Sequence, residues 1–319
     1  MRRIPGLRKV RDYHAAPSED IKATLDAFGQ SGGFQARNLY DVANTLSSMS
    51  ARKECVKFLS FPAAIMATGT RGVLIDMVKE GLVDVIVTTC GTLDHDIART
   101  LADYYEGGFD MDDVKLKASG YHRLGNVLVP LEDYGPLIEK EMQPILTSIY
   151  DKGARSITTE ELSAEIGRSL NSERSLLYWA RKKGVPVFVP GITDGAVGSQ
   201  IWLFAESHRD FTIDLIGDER RLSDITSEAK ETGALVLGGG ISKHHTIWWN
   251  LQRGGLDWAC YITTALEYDG SLSGAQIREA ISWGKVKVKA HQANLYAEVT
   301  TVLPFIVSYV LTKREPVSD

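Results

Sequence analysis

Five short runs of apolar residues, spread over most of the chain, constrain the fold more than any other feature of the sequence. Each run is rich in Val, Ile, Leu, Phe or Tyr and ends at or just before Gly, Pro, Ser or Thr, which is typical of a β-strand. The apolar residues follow one another without alternation, which indicates strands covered on both faces, as in a parallel sheet. The predicted strands are 55–60, 83–88, 185–189, 234–237 and 259–263.

Amphipathic segments separate these runs and predict helices between the strands. The predicted helices are 72–80, 97–105, 276–283 and 173–183, the last capped by Asn171 or Ser172. This alternation indicates an α/β fold: a Rossmann-like, doubly wound, mainly parallel sheet flanked by helices. Residues 1–35 are mostly polar and are predicted to form an N-terminal extension, which leaves residues 36–319 as a single domain.

Charge and cysteine content narrow the possible partners and the compartment. The 319 residues include 36 Lys and Arg against 41 Asp and Glu, and a nucleic-acid surface would favour the opposite balance. The three cysteines form no CxxC pair, so we expect free thiols in a reducing cytoplasm. The late apolar run 302–311 is interrupted by Pro304 and falls short of the ~20 residues that a membrane helix needs, so no membrane span is expected.

Small and acidic residues follow four of the predicted strands, at the strand ends where ligands gather in parallel sheets. Because nucleotide phosphates need close approach of the backbone and ribose hydroxyls need a carboxylate, these ends suit a nucleotide. The segments are TCGTLDHD (89–96), PGITDG (190–195), GGG (238–240) and TALEYDG (264–270).

Each of these features also has an ordinary structural interpretation. The GGG segment is not the GxGxxG fingerprint and, taken alone, is more often a tight turn. Asp94 and Asp96 suit the start of a helix through the helix dipole, and no second cluster supports a metal site. The side chains of His244 and His245 diverge because they are adjacent, so one is predicted to be structural and the other catalytic.

The segment EAISWGK (279–285) is the densest in potential chemistry. On a helix, Glu279 and Trp283 stand four residues apart on one face, just before Lys285. A lysine is a nucleophile only when neutral, and desolvation beside an indole lowers the lysine pKa from its usual value of ~10.4. The carboxylate of Glu279 would oppose that shift, but it could hold a substrate ammonium. Composition alone favours a simpler interpretation, in which the lysines of KVKVK (285–289) alternate along an exposed strand.

Six sequence blocks, in one order along the chain, carry a resemblance to a known family. They are GFQARNL (33–39), VDVIVTTCGTLDHDIAR (83–99), VPVFVPGITDGAVG (185–198), LVLGGGISKHH (235–245), YITTALEYDGSLSGA (261–275) and EAISWGKVKV (279–288). Together they resemble the deoxyhypusine synthases, over a region from about residue 30 to the C-terminus.

The resemblance implies a Rossmann-like homotetramer whose active sites are shared between subunits. In the family, NAD takes a hydride from spermidine, and an active-site lysine captures the resulting imine. The aminobutyl group then passes to a specific lysine of translation initiation factor 5A. The family's lysine falls on Lys285, its general-base histidine falls on His244, and its amine-binding positions fall on Glu279, Trp283 and Asp194.

The resemblance also implies an NAD site and no metal. The cofactor positions fall on Thr89, Cys90, Gly91, Asp94, Asp194, Gly238, Gly239, Thr264, Ala265, Asp269 and Glu298.

The chain departs from the family pattern at two positions that contact spermidine. Ser199 and Leu272 replace carboxylates of the eukaryotic pattern, and FPAAIMATG (61–69) lacks the Ser-Asn pair that is usual near the cofactor. Three alternatives to deoxyhypusine synthesis follow. They are a homospermidine-synthase-like transfer to a free amine such as putrescine, an NAD-dependent dehydrogenase of another small substrate, and a binding module without catalysis. Intact Lys285 and His244 speak against the last.

Overall fold

The computed structural model describes residues 20–314. Its strands are β1 (Cys55–Ser60), β2 (Val85–Val87), β3 (Tyr105–Glu106), β4 (Tyr121–Leu124), β5 (Val127–Pro130), β6 (Ser156–Ile157), β7 (Val187–Phe188), β8 (Thr212–Ile213), β9 (Glu231–Leu237), β10 (Leu256–Thr263) and β11 (Val286–Tyr296). Its α-helices are α1 (Ile21–Phe28), α2 (Phe34–Ser50), α3 (Thr70–Lys79), α4 (Cys90–Leu101), α5 (Asp113–Ala118), α6 (Gly135–Asp151), α7 (Thr159–Leu170), α8 (Leu176–Lys183), α9 (Ala196–Ser207), α10 (Leu215–Glu228), α11 (Ile241–Leu251), α12 (Ile277–Ser282) and α13 (Val299–Lys313).

Six strands form one parallel sheet in the order β11-β10-β9-β1-β2-β7. The chain begins at the centre with β1, adds β2 and β7 on one side, and then returns to add β9, β10 and β11 on the other. The strand order therefore reverses between β1 and β9, where Cys55 lies opposite Glu231. In a doubly wound sheet, this switch point opens a crevice at the carboxyl ends of the strands, where ligands bind.

Both faces of this sheet are buried, as the continuous apolar runs predicted. Along β1, Leu59 packs into one core while its neighbour Phe58 packs into the other, and Leu235 and Val236 of β9 divide in the same way. Helices α10, α11 and α12 cover the second core, and the remaining long helices cover the first. The predicted fold class, a Rossmann-like parallel sheet flanked by helices, is confirmed.

Several boundaries differ from the sequence prediction because tertiary contacts set them. Strand β1 has the predicted bounds, whereas β9 and β10 begin earlier because neighbouring strands pair with them there. The helix predicted at 97–105 was misplaced. Helix α4 instead begins at Cys90, directly after β2, and Tyr105 belongs to β3.

The prediction that Asn171 or Ser172 caps the helix at 173–183 was wrong. Asn171 has a left-handed backbone with φ 38° and ends α7, while Ser175 caps α8 by accepting a hydrogen bond from Tyr178 N. The buried carboxylate of Asp96 completes this helix start, since it accepts hydrogen bonds from Ser175 Oγ and from the first two amides of α8. A distant carboxylate of this kind leaves no local signal in the sequence.

Both ends of the described region add helices that the apolar runs did not predict. Helix α1 lies within the predicted extension, where Leu25 is buried and Asp26 accepts a hydrogen bond from Tyr309 of α13. The run 302–311 lies inside α13, which accommodates Pro304. The division at residue 36 stays a prediction, because residues 1–19 lie outside the described part. Among the described helices, none combines the length and apolar character needed to cross a bilayer.

Candidate active site

Lys285 stands at the junction of α12 and β11. Gly284 adopts φ 71°, a left-handed conformation that glycine reaches at little cost, and its amide closes the end of α12 on Ile281 O. The next amide, of Lys285, donates to Ala280 O and turns the chain into the strand. The Lys285 side chain is buried, and its Nζ lies 3.4 Å from Nε2 of His244 on α11.

A cavity of about 250 Å³ surrounds this pair, between α11, α12, β10 and the loop that follows β10. We call it the lysine cavity. Two indole rings flank the amine, with Lys285 Nζ 5.4 Å from the Trp248 ring and 5.2 Å from the Trp283 ring. Glu279 and Leu272 also line the cavity. The structure thus brings Lys285, His244, Glu279 and Trp283 together, and the exposed-strand interpretation is wrong for Lys285.

The two adjacent histidines point in different directions, as predicted. Burial, and then the nearby Lys285, lower the pKa of His244, so its imidazole is neutral and able to accept a proton at neutral pH. His245 faces α10 instead, and its Nε2 lies 3.5 Å from Glu219 of that helix. The same nitrogen accepts a hydrogen bond from Nε1 of Trp249, one turn further along α11. Burial lowers the pKa of His245 to about 4, so it is a neutral structural side chain.

Sequence reasoning missed Lys243, which lines the same cavity one residue before His244. Its side chain is buried, and its Nζ donates to Leu272 O and Ala275 O, each at 2.6 Å. The ammonium also lies 4.3 Å from the ring centre of Tyr261, whose hydroxyl is buried without a hydrogen-bond partner among the described residues. Nothing in the residues around Lys243 in the sequence distinguishes it from a surface lysine.

The GGG segment forms a tight cradle at the switch point, directly after β9. Gly238 and Gly239 have φ of 61° and 90°, and a Cβ on Gly239 would lie 2.6 Å from Ser242 Oγ. Helix α11 begins here without a side-chain cap, so its first amides are free to face an anion. Ser242 Oγ and Ser60 Oγ, both near this crevice, are buried without partners among the described residues. These features fit the phosphates of a dinucleotide.

Other predicted cofactor residues lie along the same edge of the sheet. Thr89 precedes α4, which also begins without a side-chain cap, and its Oγ1 accepts a hydrogen bond from Ala63 N. Thr264 and Ala265 directly follow β10, and Asp269 lies in the loop beyond them. Glu298 caps α13. Its burial would raise the pKa of the carboxyl, but hydrogen bonds from Thr300 and Thr301 outweigh burial and lower that pKa.

Three residues of the predicted cofactor set are engaged in packing. Asp94 is fully buried and accepts hydrogen bonds from Tyr134 Oη and from Ala196 N and Val197 N, the first amides of α9. Burial raises the pKa of the Cys90 thiol to about 12, and a Cβ on Gly91 would lie 2.8 Å from that of Ala63. Asp94 therefore orients α9, and its direct contact with a cofactor stays a prediction.

The lysine cavity and the GGG cradle adjoin at the first turn of α11, where a Cβ on Gly239 would lie 3.8 Å from Lys243 N. None of the predicted cofactor residues lines the lysine cavity. Asp194, predicted for the amine as well as for the cofactor, follows β7, and Ser199 lies in the first turn of α9 with its Oγ bonded to Gly195 O. Of the two family departures, only Leu272 reaches the cavity. Within residues 20–314, no group of three His, Cys, Asp or Glu side chains could hold a metal ion.

The fold and these two sites define a class of protein. The chain is a Rossmann-like α/β protein that combines a glycine cradle at its switch point with a buried lysine beside a half-buried histidine. Comparison with known proteins identifies the family. The family model of deoxyhypusine synthase matches residues 23–310.

Curated relatives agree over almost the whole chain. The probable deoxyhypusine synthase of Picrophilus torridus is 52% identical over 299 residues, covering 94% of this chain and 96% of the relative. That of Thermoplasma acidophilum is 50% identical over 301 residues with the same coverage. The chain therefore belongs to the deoxyhypusine synthase family.

Solved structures share the fold. A putative deoxyhypusine synthase from Entamoeba histolytica superposes with a TM-score of 0.66 at 21% identity, covering 95% of this chain and 97% of that one. AgrE, in a ternary complex with ornithine and NAD+, gives a TM-score of 0.53 at 12% identity and matches 88% of this chain to 34% of its own. At these identities, both likenesses concern the fold alone.

Proposed function

We propose that this chain transfers the aminobutyl group of spermidine to a specific lysine of translation initiation factor 5A, using NAD and an imine on Lys285. One observation carries the proposal: the Lys285 amine lies in a buried cavity, 3.4 Å from a histidine whose pKa is lowered by burial and by Lys285 itself. That pair provides a nucleophile and a proton acceptor side by side. Membership of the deoxyhypusine synthase family supports aminobutyl transfer as the reaction.

NAD is assigned to the cofactor edge, where the GGG cradle and the uncapped start of α11 suit its phosphates. Thr89, Thr264, Ala265 and Asp269 would hold the rest of the molecule, as the family resemblance implies. Bound NAD supplies a hydride acceptor for the donor amine and a hydride donor for the product. The reaction therefore needs no external oxidant.

His244 and Lys285 carry out the proton and bond transfers. The secondary amine of the donor loses a hydride from its aminobutyl carbon and a proton to His244, which gives an imine. The Lys285 amine attacks the imine carbon, its two N–H protons pass to the nitrogen of the leaving diamine, and the carbon–nitrogen bond to that diamine breaks. The acceptor lysine then displaces Lys285 in the same way. Hydride returns to the carbon and the proton held by His244 returns to the nitrogen, so the transfer has no net oxidation.

Glu279 and Trp283 are assigned to the donor. The Glu279 carboxylate lines the lysine cavity and can pair with the terminal ammonium of the aminobutyl group. The Trp283 indole lies 5.2 Å from Lys285 Nζ and limits the access of water to the amine. Asp194 is assigned to the same donor from the cofactor edge.

We propose a cytoplasmic homotetramer in which one subunit presents its lysine cavity to the cofactor edge of another. Hydride transfer requires the donor to contact both sites, and none of the predicted cofactor residues lines the lysine cavity of the same chain. Exposed apolar side chains rim the cavity, with Trp283 64% exposed and Trp248 45% exposed, which suits cover by a second subunit.

Trapping the imine tests the proposal. Purified protein is incubated with NAD and isotope-labelled spermidine, reduced with borohydride, and digested for mass spectrometry, with and without translation initiation factor 5A. We expect label on Lys285, and on the acceptor when it is present. Lys285→Ala should abolish both while retaining NAD binding, and Lys289→Ala, on the exposed part of β11, should change neither. Label on another lysine would overturn the assignment.

A homospermidine-synthase-like transfer is the second candidate, because Leu272 places an apolar side chain in the cavity wall where the eukaryotic pattern has a carboxylate. The same assay with putrescine as acceptor distinguishes the two. Net formation of NADH without transferred label would instead indicate a dehydrogenase.

A further inference from the structure

Lys243 is an unusual side chain, because it is 2% exposed and its hydrogen-bond partners are not charged. Its Nζ donates to the carbonyls of Leu272 and Ala275, both at 2.6 Å, and faces the Tyr261 ring at 4.3 Å. Burying a lysine without a carboxylate partner is costly unless its donors are satisfied. Two carbonyl acceptors and the face of an aromatic ring surround this ammonium.

This coordination distinguishes Lys243 from the nucleophile Lys285 in the same cavity. Burial lowers the pKa of Lys243 to about 8, against an opposing effect of Glu279, so most of the amine remains protonated at neutral pH. A protonated amine held by two carbonyl acceptors has no lone pair with which to attack an imine. The geometry therefore assigns Lys243 a role other than covalent catalysis.

The two carbonyls belong to the segment 269–275, which we call the wall loop. The wall loop places Leu272 and Ala275 in the lysine cavity. Its own hydrogen bonds are local, from Ser271 N to Asp269 and from Gly274 N to Ser271. Apart from these, Ser273 Oγ pairs with Thr263 Oγ1 at the end of β10. Lys243 thus provides two hydrogen bonds that join Leu272 and Ala275 of the wall loop to α11.

We propose that Lys243 is a positioning residue, which holds the wall loop against α11 and thereby fixes the shape of the cavity that receives the amine donor. Because α11 carries both Lys243 and His244, the same helix turn sets the loop and the general base in register. The kinetic part of this inference rests on the proposed function, whereas the effect on the loop does not.

Hydrogen–deuterium exchange of the holoenzyme, with NAD bound, measures the loop directly. Lys243→Met keeps the length of the side chain and removes its charge and donors, and Lys243→Arg restores both. Lys289→Met, at an exposed position of β11, is the matched control. We expect exchange in peptides covering 269–275 to accelerate about tenfold or more in Lys243→Met, because hydrogen bonds to charged donors commonly contribute at least that factor. Lys243→Arg should recover part of the protection, and the control should match the wild type.

Steady-state kinetics separates positioning from general loss of fold. In Lys243→Met we expect the KM for spermidine to rise about tenfold or more, with kcat reduced much less and NAD affinity unchanged. Unchanged exchange in the wall loop would overturn the inference, whatever the kinetics show. So would borohydride trapping of the donor on Lys243.

If Lys243→Met does not fold, exchange of the wall loop is compared between Lys243→Arg and Lys243→Gln instead, since Gln keeps hydrogen-bond donors but not the charge. Faster loop exchange in a protein whose wild type transfers no aminobutyl group would support the loop contact and refute the proposed function instead.

Discussion

Replacing His244 by alanine removes the proton acceptor closest to the proposed nucleophile. His244 Nε2 lies 3.4 Å from Lys285 Nζ, within the distance at which a small closure creates a direct hydrogen bond. A positioned proton-transfer group contributes roughly 10²–10⁴-fold in rate, or about 3–5 kcal/mol of barrier. We therefore expect His244→Ala to slow both formation of the Lys285 imine and transfer to the acceptor by that factor, with NAD binding unchanged.

The neighbouring histidine provides the matched control. His245 bonds to Trp249 on the far side of α11, so His245→Ala should lower the free energy of unfolding by about 1 kcal/mol for the lost hydrogen bond while keeping most of the activity. Single-turnover trapping and steady-state transfer measure the first effect, and chemical denaturation measures the second. A large loss of activity in His245→Ala with little in His244→Ala would refute the assignment.

The pH profile adds a second criterion. Burial and the proximity of Lys285 lower the pKa of His244, so the neutral imidazole persists below the usual value near 6.5. Activity should fall as the pH decreases through this lowered pKa, because protonation removes the base. That acidic limb should disappear in His244→Ala. An acidic limb above pH 6.5 in the wild type would contradict the structure.

Three further predictions concern the cradle, the donor and acid stability. Gly239→Ala should weaken NAD binding at least tenfold in calorimetry, because its φ of 90° and a Cβ 2.6 Å from Ser242 Oγ would force the cradle open. Gly240→Ala is the control, since Gly240 has open space around it, and this variant should bind NAD normally. Leu272→Asp should sharpen preference for spermidine over diamines by about 30-fold, since one buried charge pair contributes roughly 2–5 kcal/mol; strict spermidine specificity in the wild type would contradict this. Burial lowers the pKa of His95 to about 4, so below pH 6.5 the unfolded chain binds a proton that the folded chain does not, and up to about 3 kcal/mol is lost between pH 6.5 and 4. Denaturation of His95→Gln should show a smaller loss over that range.

The parallel sheet could be predicted from the sequence because both of its faces are buried, so its strands are continuous apolar runs. The family resemblance also pointed to Lys285, His244, Glu279 and Trp283, which the structure brings together around one cavity. The four strand ends with small and acidic residues belong to one parallel sheet, so they lie along one edge, as predicted. Patterns of this kind involve residues that are close together in the sequence, so they can be recognised before the structure is known.

Contacts between distant segments were beyond local reasoning. Ser175 rather than Asn171 caps α8 because Asp96, far away in sequence, bonds to the same turn. Asp94, which the family resemblance assigns to the cofactor, also orients α9 through bonds that its local sequence does not signal. Lys243 gave no signal because its partners are main-chain carbonyls, which every residue possesses. Such roles depend on burial, and burial depends on the completed fold.

The strand order has a consequence for how this chain reaches its native state. The central strand β1 pairs on one side with β2, which follows soon after it, and on the other with β9, where Cys55 meets Glu231. During synthesis, one edge of β1 must therefore wait until most of the chain has been made. Closing so long a loop is slow, and an unpaired apolar strand is prone to aggregate meanwhile. Refolding should depend on protein concentration and improve with a chaperone that shields this edge until β9 arrives.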